Sequence, residues 1–173
     1  MKKLLVFAVA ILGFSAVSFG QANATASATG TIIAPITIVN AGDMNFGNIA
    51  VSPTVSGTVI LATDGTRTVG GSLGVTLPAT AGSPAAAHFT VGGAANYTYT
   101  ISAIAPITVA LAGSPGTTMA VNAFLTDPAL GAGNLGAGAS ETINVGATLN
   151  VAAGQAPGIY TSATPFSVTV NYN

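Results

Sequence analysis

The sequence predicts an all-β chain of antiparallel strands, and three observations carry that reading. Apolar and polar residues alternate with period two in segment after segment. Turn-forming Gly, Pro, Asp and Asn punctuate those segments about every 8–12 residues, the spacing of a sandwich or barrel. After the first twenty residues no stretch combines helical spacing with capping residues. Successive side chains of a strand point to opposite faces, so each alternating segment offers one face to a core and the other to water. That is the pattern of antiparallel sheets; buried parallel strands are apolar on both faces.

The elements follow in order. Residues 1–20 read as a cleaved secretory signal peptide: Lys2 and Lys3 at the tip, an apolar run from Leu4, and small residues around Gly20, where cleavage is placed. The apolar run is short for a bilayer, which takes about 20 residues, and no positive stop-transfer cluster follows it. No membrane span is therefore expected after cleavage. Residues 21–33 form an N-terminal alternating segment, whose partner is either this domain's own sheet or a groove in the next copy, by strand addition. Ala22, Ala24, Ala26, Ala28, Gly30 and Ile32 share one face, opposite Asn23, Thr25, Ser27, Thr29 and Thr31, and the alternation runs on through Ile36 and Ile38. Residues 34–173 are expected to form a single domain. In it, Asp64-Gly65 joins two strands as a hairpin turn. Leu73, Val75 and Leu77 alternate, as do Ala87, Phe89 and Val91, which leaves His88 on the water side. Tyr97, Tyr99 and Ile101 make a further strand, then Ile107, Val109 and Leu111, then Met119, Val121, Ala123 and Leu125. Residues 129–140, rich in Gly and Ala, read as a long loop. The alternation from Ile143 to Val151 is the longest of the interior, and Phe166, Val168, Val170 and Tyr172 mark a C-terminal strand.

Composition narrows function by exclusion. Of 173 residues only 4% are charged, against about 25% in an ordinary domain. Beyond the leader, Arg67 is the only Lys or Arg, and the acids are Asp43, Asp64, Asp127 and Glu141. Nucleic-acid binding requires a basic stripe that displaces counterions, and none is present. No cysteine is available for disulfides, thiolate catalysis or lipid attachment. Gly131, Gly133 and Gly136 spell G-x-G-x-x-G, but no acid stands about 20 residues on and the sequence after it reads as a strand, so the dinucleotide fingerprint fails. The carboxylates are scattered and His88 is the sole histidine, which is too little titratable equipment for general acid–base work. No enzyme activity, cofactor or metal is expected. A membrane barrel would need aromatic girdles and a polar lumen, and the sequence supplies neither. A surface this poor in net charge repels its own copies weakly.

Family resemblance adds to these readings. Gly158-Ile159-Tyr160 followed by the alternation from Phe166 to Tyr172 resembles the ends of chaperone–usher fibre subunits and of spore-coat-U-like secreted domains. Ala34-Pro35-Ile36-Thr37-Ile38, Met44-Asn45-Phe46-Gly47-Asn48-Ile49, Phe89-Thr90-Val91-Gly92-Gly93 and Val145-Gly146-Ala147-Thr148-Leu149 give nearly all of residues 25–173 the look of domain-of-unknown-function family 4402, small secreted bacterial proteins. The pilin resemblance implies an immunoglobulin-like antiparallel β-sandwich with an incomplete sheet, completed by a strand from a neighbour. On that reading Ala24, Ala26, Ala28, Gly30 and Ile32 are the candidate donor strand, and Phe166, Val168, Val170 and Tyr172 are the C-terminal interaction strand. The partners implied are further copies or related subunits, with a periplasmic chaperone in transit, and the location is extracellular or at the cell surface. The expected function is that of a secreted structural subunit. The alternative is a monomeric secreted adhesin or carbohydrate-binding module.

Overall fold

In the computed structural model, which describes residues 20–173, every regular element is a strand, as the alternation requires. In chain order these are β1 (Thr37–Gly42), β2 (Ala50–Val51), β3 (Gly57–Leu61), β4 (Arg67–Gly70), β5 (Val75–Thr76), β6 (Ala87–Gly92) and β7 (Thr98–Ile101). They continue with β8 (Ile107–Leu111), β9 (Ser114–Asp127), β10 (Gly133–Asn134), β11 (Ser140–Val151), β12 (Tyr160–Thr161) and β13 (Val170–Tyr172). The signal peptide assigned to residues 1–20 lies, apart from Gly20, outside the described residues. Among those described, no helix is long and apolar enough to cross a membrane.

Residues Ile33–Asn173 form one compact unit, an antiparallel β-sandwich. Its larger layer is an eight-stranded sheet in the order β1-β6-β11-β9-β8-β12, with β3 and β4 branching from β11. The other layer consists of two small ladders, β10-β7-β13 and β2-β5. All pairings are antiparallel.

The branch arises because β11 changes partners halfway along. Ser140 to Val145 pair with β6, Ala147 to Val151 pair with β3, and β9 pairs with β11 from Asn144 to Asn150. Gly146 sits at the changeover. A β-carbon there would collide with the Leu61 carbonyl oxygen, so glycine is what lets the end of β3 close onto the spine.

The apolar faces meet in two clusters. One packs Val91, Ile143 and Val145 of the large sheet against Tyr99, Ile101 and Val170 of the three-stranded ladder. The other packs Val59, Val121 and Leu149 against Val75 of the β2-β5 ladder. Met44 and Phe124 touch both. Tyr99, Val91, Ile143 and Val145 are wholly excluded from water.

The structure departs from the sequence reading in several places. Ala123 and Leu125 were expected beside Val121 on the apolar face. A β-bulge opposite Ala147 inserts an extra residue in β9, with Ala123 in the left-handed region at φ 47°. Phe124 then turns inward and Leu125 outward, because one added residue inverts the faces beyond it. The expected loop 129–140 carries β10, and Leu135 within it is buried. His88 is half-buried rather than freely exposed, its Nδ1 lying 2.8 Å from Asn144 Oδ1 on the neighbouring strand. The alternation of 22–38 becomes a strand only at Thr37.

Candidate functional site

A concavity lies over the inner face of the large sheet. Its volume is about 1060 Å³. The floor is the inner face of three adjacent strands of the large sheet: Leu149 and Val151 of β11, Met119 and Val121 of β9, and Ile107 and Val109 of β8. Alternation puts these residues on one face, and sheet order sets them side by side. One wall is residues 43–51, which bring Phe46 and Ile49. The opposite margin is β12 with the chain that leaves it, bringing Tyr160 and Phe166. Among the lining residues only Asp43 is charged.

The 43–51 wall is held by backbone geometry and one guanidinium. Asn45 N and Asn48 N donate to the carbonyls of Ala85 and Ala81 at 2.8 Å each. Asn45 Oδ1 accepts from Gly47 N at 2.7 Å, and Gly47 takes φ 68° to make that turn. Arg67 Nη1 donates to the carbonyls of Phe46 (2.7 Å) and Asn48 (2.9 Å). Arg67 therefore fixes the lip that carries Phe46. Replacing Arg67 with Met is expected to lower stability by about 2 kcal/mol, the scale of a charged hydrogen bond lost from a partly buried site. Urea titration of Arg67→Met beside the parent protein measures this, and an unchanged midpoint would show that the lip holds without the guanidinium.

Four polar side chains around the cleft have partners within the chain. Tyr160 Oη donates to the Ala156 carbonyl (2.8 Å) and accepts from Gln155 Nε2 (2.9 Å). Asn48 Nδ2 donates to the Thr80 carbonyl (3.1 Å), and Asn45 Nδ2 to that of Gly82 (3.4 Å). The backbone on the opposite margin differs. Among the described residues, 162–168 make no backbone hydrogen bond, and β13 pairs with β7 alone. Phe166 fixes the course of this run: its ring lies 4.9 Å from that of Phe124 and 6.1 Å from that of Phe89, centroid to centroid.

The sequence-assigned residues lie partly within the compact unit Ile33–Asn173 and partly ahead of it. Val168 and Val170 are buried, and Phe166 is half-buried at the cleft. Only Val170 to Tyr172 form a strand, so the C-terminal strand is shorter than the alternation implied. Tyr172 turns its hydroxyl away from the cleft, accepting from Ala94 N (2.6 Å) and donating to the Ala34 carbonyl (3.0 Å). Ala24, Ala26, Ala28, Gly30 and Ile32 belong to residues 20–32, which enter no strand and are exposed throughout. Ile32 is 99% exposed. The cleft residues Ile107, Val109 and Met119 were legible only as core, and Arg67 carried no sequence signal beyond its isolation.

Two further carboxylates are bonded within the chain. Glu141 Oε2 accepts from Tyr99 Oη and from Asn134 N, each at 2.8 Å, which ties β11 to β7 and β10. Asp64 Oδ1 accepts from both N and Oγ1 of Thr66, at 2.8 and 2.7 Å, closing the β3–β4 turn. These bonds, the side-chain one foremost, hold the Asp64 carboxyl below its ordinary pKa. Among the described residues no three His, Cys, Asp or Glu side chains gather as a metal site would require.

A family described as "Domain of unknown function (DUF4402)" matches residues 36–172. No curated protein and no solved structure matches the chain.

Proposed function

The chain belongs to the DUF4402 family, and from that premise we propose that it is a secreted, non-catalytic structural subunit of a bacterial surface or fibre assembly, self-associating by β-strand addition. The observation that carries this reading is the state of residues 20–32. They are apolar on one face and polar on the other, uncharged and exposed, and they belong to no sheet. An alternating segment of that kind is the form a chain takes when it completes another sheet, where main-chain bonds supply affinity and alternate side chains fill pockets. Burying Ile32 alone would contribute about 1.5–3 kcal/mol. The scarcity of charge supports the same reading, since it removes the repulsion that keeps copies apart.

The test is deletion of residues 21–33 from the exported chain. The parent is expected to form elongated oligomers in negative stain and by size exclusion, and the deleted chain to be monomeric with an unchanged melting temperature. Oligomers that survive the deletion would overturn the donor role. A monomeric adhesin or carbohydrate-binding module would use the same cleft. The internal bonding of Asn45, Asn48, Gln155 and Tyr160 leaves few polar groups aimed at a sugar, which favours the strand.

A further inference from the structure

We infer that the cleft floored by β8, β9 and β11 is the slot that receives this donor, and that its occupant is residues 22–32 of a second copy of the chain. The inference rests on the strand-addition reading and assigns its acceptor.

Three features on the cleft select a strand over other occupants. The floor continues the core: Val121, Leu149 and Val151 are buried in the cluster that includes Val75 of the β2-β5 ladder, and Ile107, Val109 and Met119 pack against that cluster but remain half-buried. Second, the margin offers unused backbone. Among the described residues, the backbone of 162–168 has no main-chain partner; every residue there except Pro165 carries an N–H as well as a C=O, and such groups are satisfied by a neighbouring main chain more fully than by a small molecule. Third, the lining is uncharged apart from Asp43, and so is the proposed occupant throughout. Its even-numbered residues, Ala24 to Gly30, are small enough to lie against a floor already filled with Val, Ile and Met side chains. The odd-numbered Asn, Ser and Thr side chains would then face water.

Reach decides between the chain's own cleft and a neighbour's. The domain begins beside Tyr172 and Gly92, since Ala34 accepts from Tyr172 Oη and Thr37 pairs with Gly92, which in turn pairs with Ser140. The cleft floor uses the other end of the same spine, Leu149 and Val151. The run from Ser140 to Val151 and the extended segment 22–32 each measure roughly 35 Å. Within one copy the segment would be spent in travelling to the cleft. In a neighbour stacked end to end its whole length is free to lie in the slot. Such a contact joins unlike surfaces and leaves one donor and one slot open at each step, so it propagates into a filament.

The absence of native cysteine makes the contact testable by crosslinking. Two full-length single variants, Ala28→Cys in the segment and Val109→Cys on the floor, are mixed and oxidised. A second mixture uses Ala26→Cys in place of Ala28→Cys, to cover a shift in register. The expected result is a covalent dimer of one chain of each kind in at least one mixture, formed at the expense of monomer. No such dimer should form when the floor variant is replaced by Val69→Cys on β4, away from the cleft. A chain carrying both cysteines should give a ladder of covalent multimers. A closed monomeric crosslink in that double variant would overturn the assignment to a second copy. Absence of any crosslink to position 109, with both cysteines reactive to a thiol reagent, would overturn the acceptor assignment. If deletion of residues 21–33 still abolished oligomers in that case, strand addition would stand and only the location of the slot would fall.

Discussion

Gly146→Val is expected to destabilise the domain by about 3 kcal/mol, the upper range for forcing added volume into a packed interior. The position is buried, and what a side chain would meet is backbone: the Leu61 carbonyl, with the Ala62 carbonyl carbon and Thr63 N beside it. A flexible side chain could swing away, but a strand end held in register by Leu61↔Ala147 cannot. Accommodating valine means lifting β3 off the spine, which uncovers Val59 and Leu61, both wholly buried. Gly146→Ala meets the same carbonyl with its single carbon, so most of the loss should already appear there. Urea denaturation followed by far-ultraviolet circular dichroism measures both. A Gly146→Val midpoint within error of the parent would refute the close approach on which the branched sheet is built.

Tyr99→Ala is expected to cost about 3–5 kcal/mol, as for other large buried side chains cut back to alanine. The ring is wholly buried in the first core cluster, and its hydroxyl donates to Glu141. Tyr99→Phe separates the two contributions. It keeps the packing and removes one donor, with an expected loss of about 1–3 kcal/mol. Glu141 would keep its bond from Asn134 N. Burial first, then the Glu141 hydrogen bond and charge, raise the Tyr99 phenol well above its ordinary value. A group whose folded pKa is raised gives its full contribution below the unfolded pKa, about 10 for tyrosine, and loses it as pH climbs beyond that. Stability attributable to Tyr99 should therefore be flat through neutrality and fall only above about pH 10. Parallel urea titrations of the parent and Tyr99→Phe at neutral and alkaline pH check this. A gap between the two that stays constant above pH 10, again taken as the phenol's ordinary value, would contradict the assigned environment.

The long strands were legible because alternation was long enough to declare itself. Ile143 to Val151 lies within β11, Ile107 to Leu111 is β8, and Asp64-Gly65 closes β3 onto β4. These need only local information, a face to bury and a turn to reverse. The inward turn of Phe124 was illegible because a bulge is set by the partner strand, and nothing around Ala123 announces a left-handed residue. Leu135 was lost in a Gly/Ala-rich run that resembles a loop in composition and becomes β10 only through its pairing with Tyr99 and Thr98. For the candidate site, the donor segment was visible as alternation and Phe166 as part of the C-terminal pattern. The slot itself was not visible. Its floor combines the β8–β9 hairpin with β11, and alternation alone does not say which strands will lie side by side. Arg67 was seen as an isolated charge, but its contacts with the Phe46 and Asn48 carbonyls depend on tertiary closure.

The partner change at Gly146 also sets the order in which the molecule can come into being. Without β11 the large sheet falls into three separate pieces, β1 with β6, β3 with β4, and β9 with β8 and β12. A nascent chain read out from its N-terminus thus holds only disconnected hairpins and loose ends until Val151 has been synthesised. Pairings that wait on distant sequence are slow to form. The polypeptide accordingly cannot complete its large sheet until most of its length, through Val151, is available.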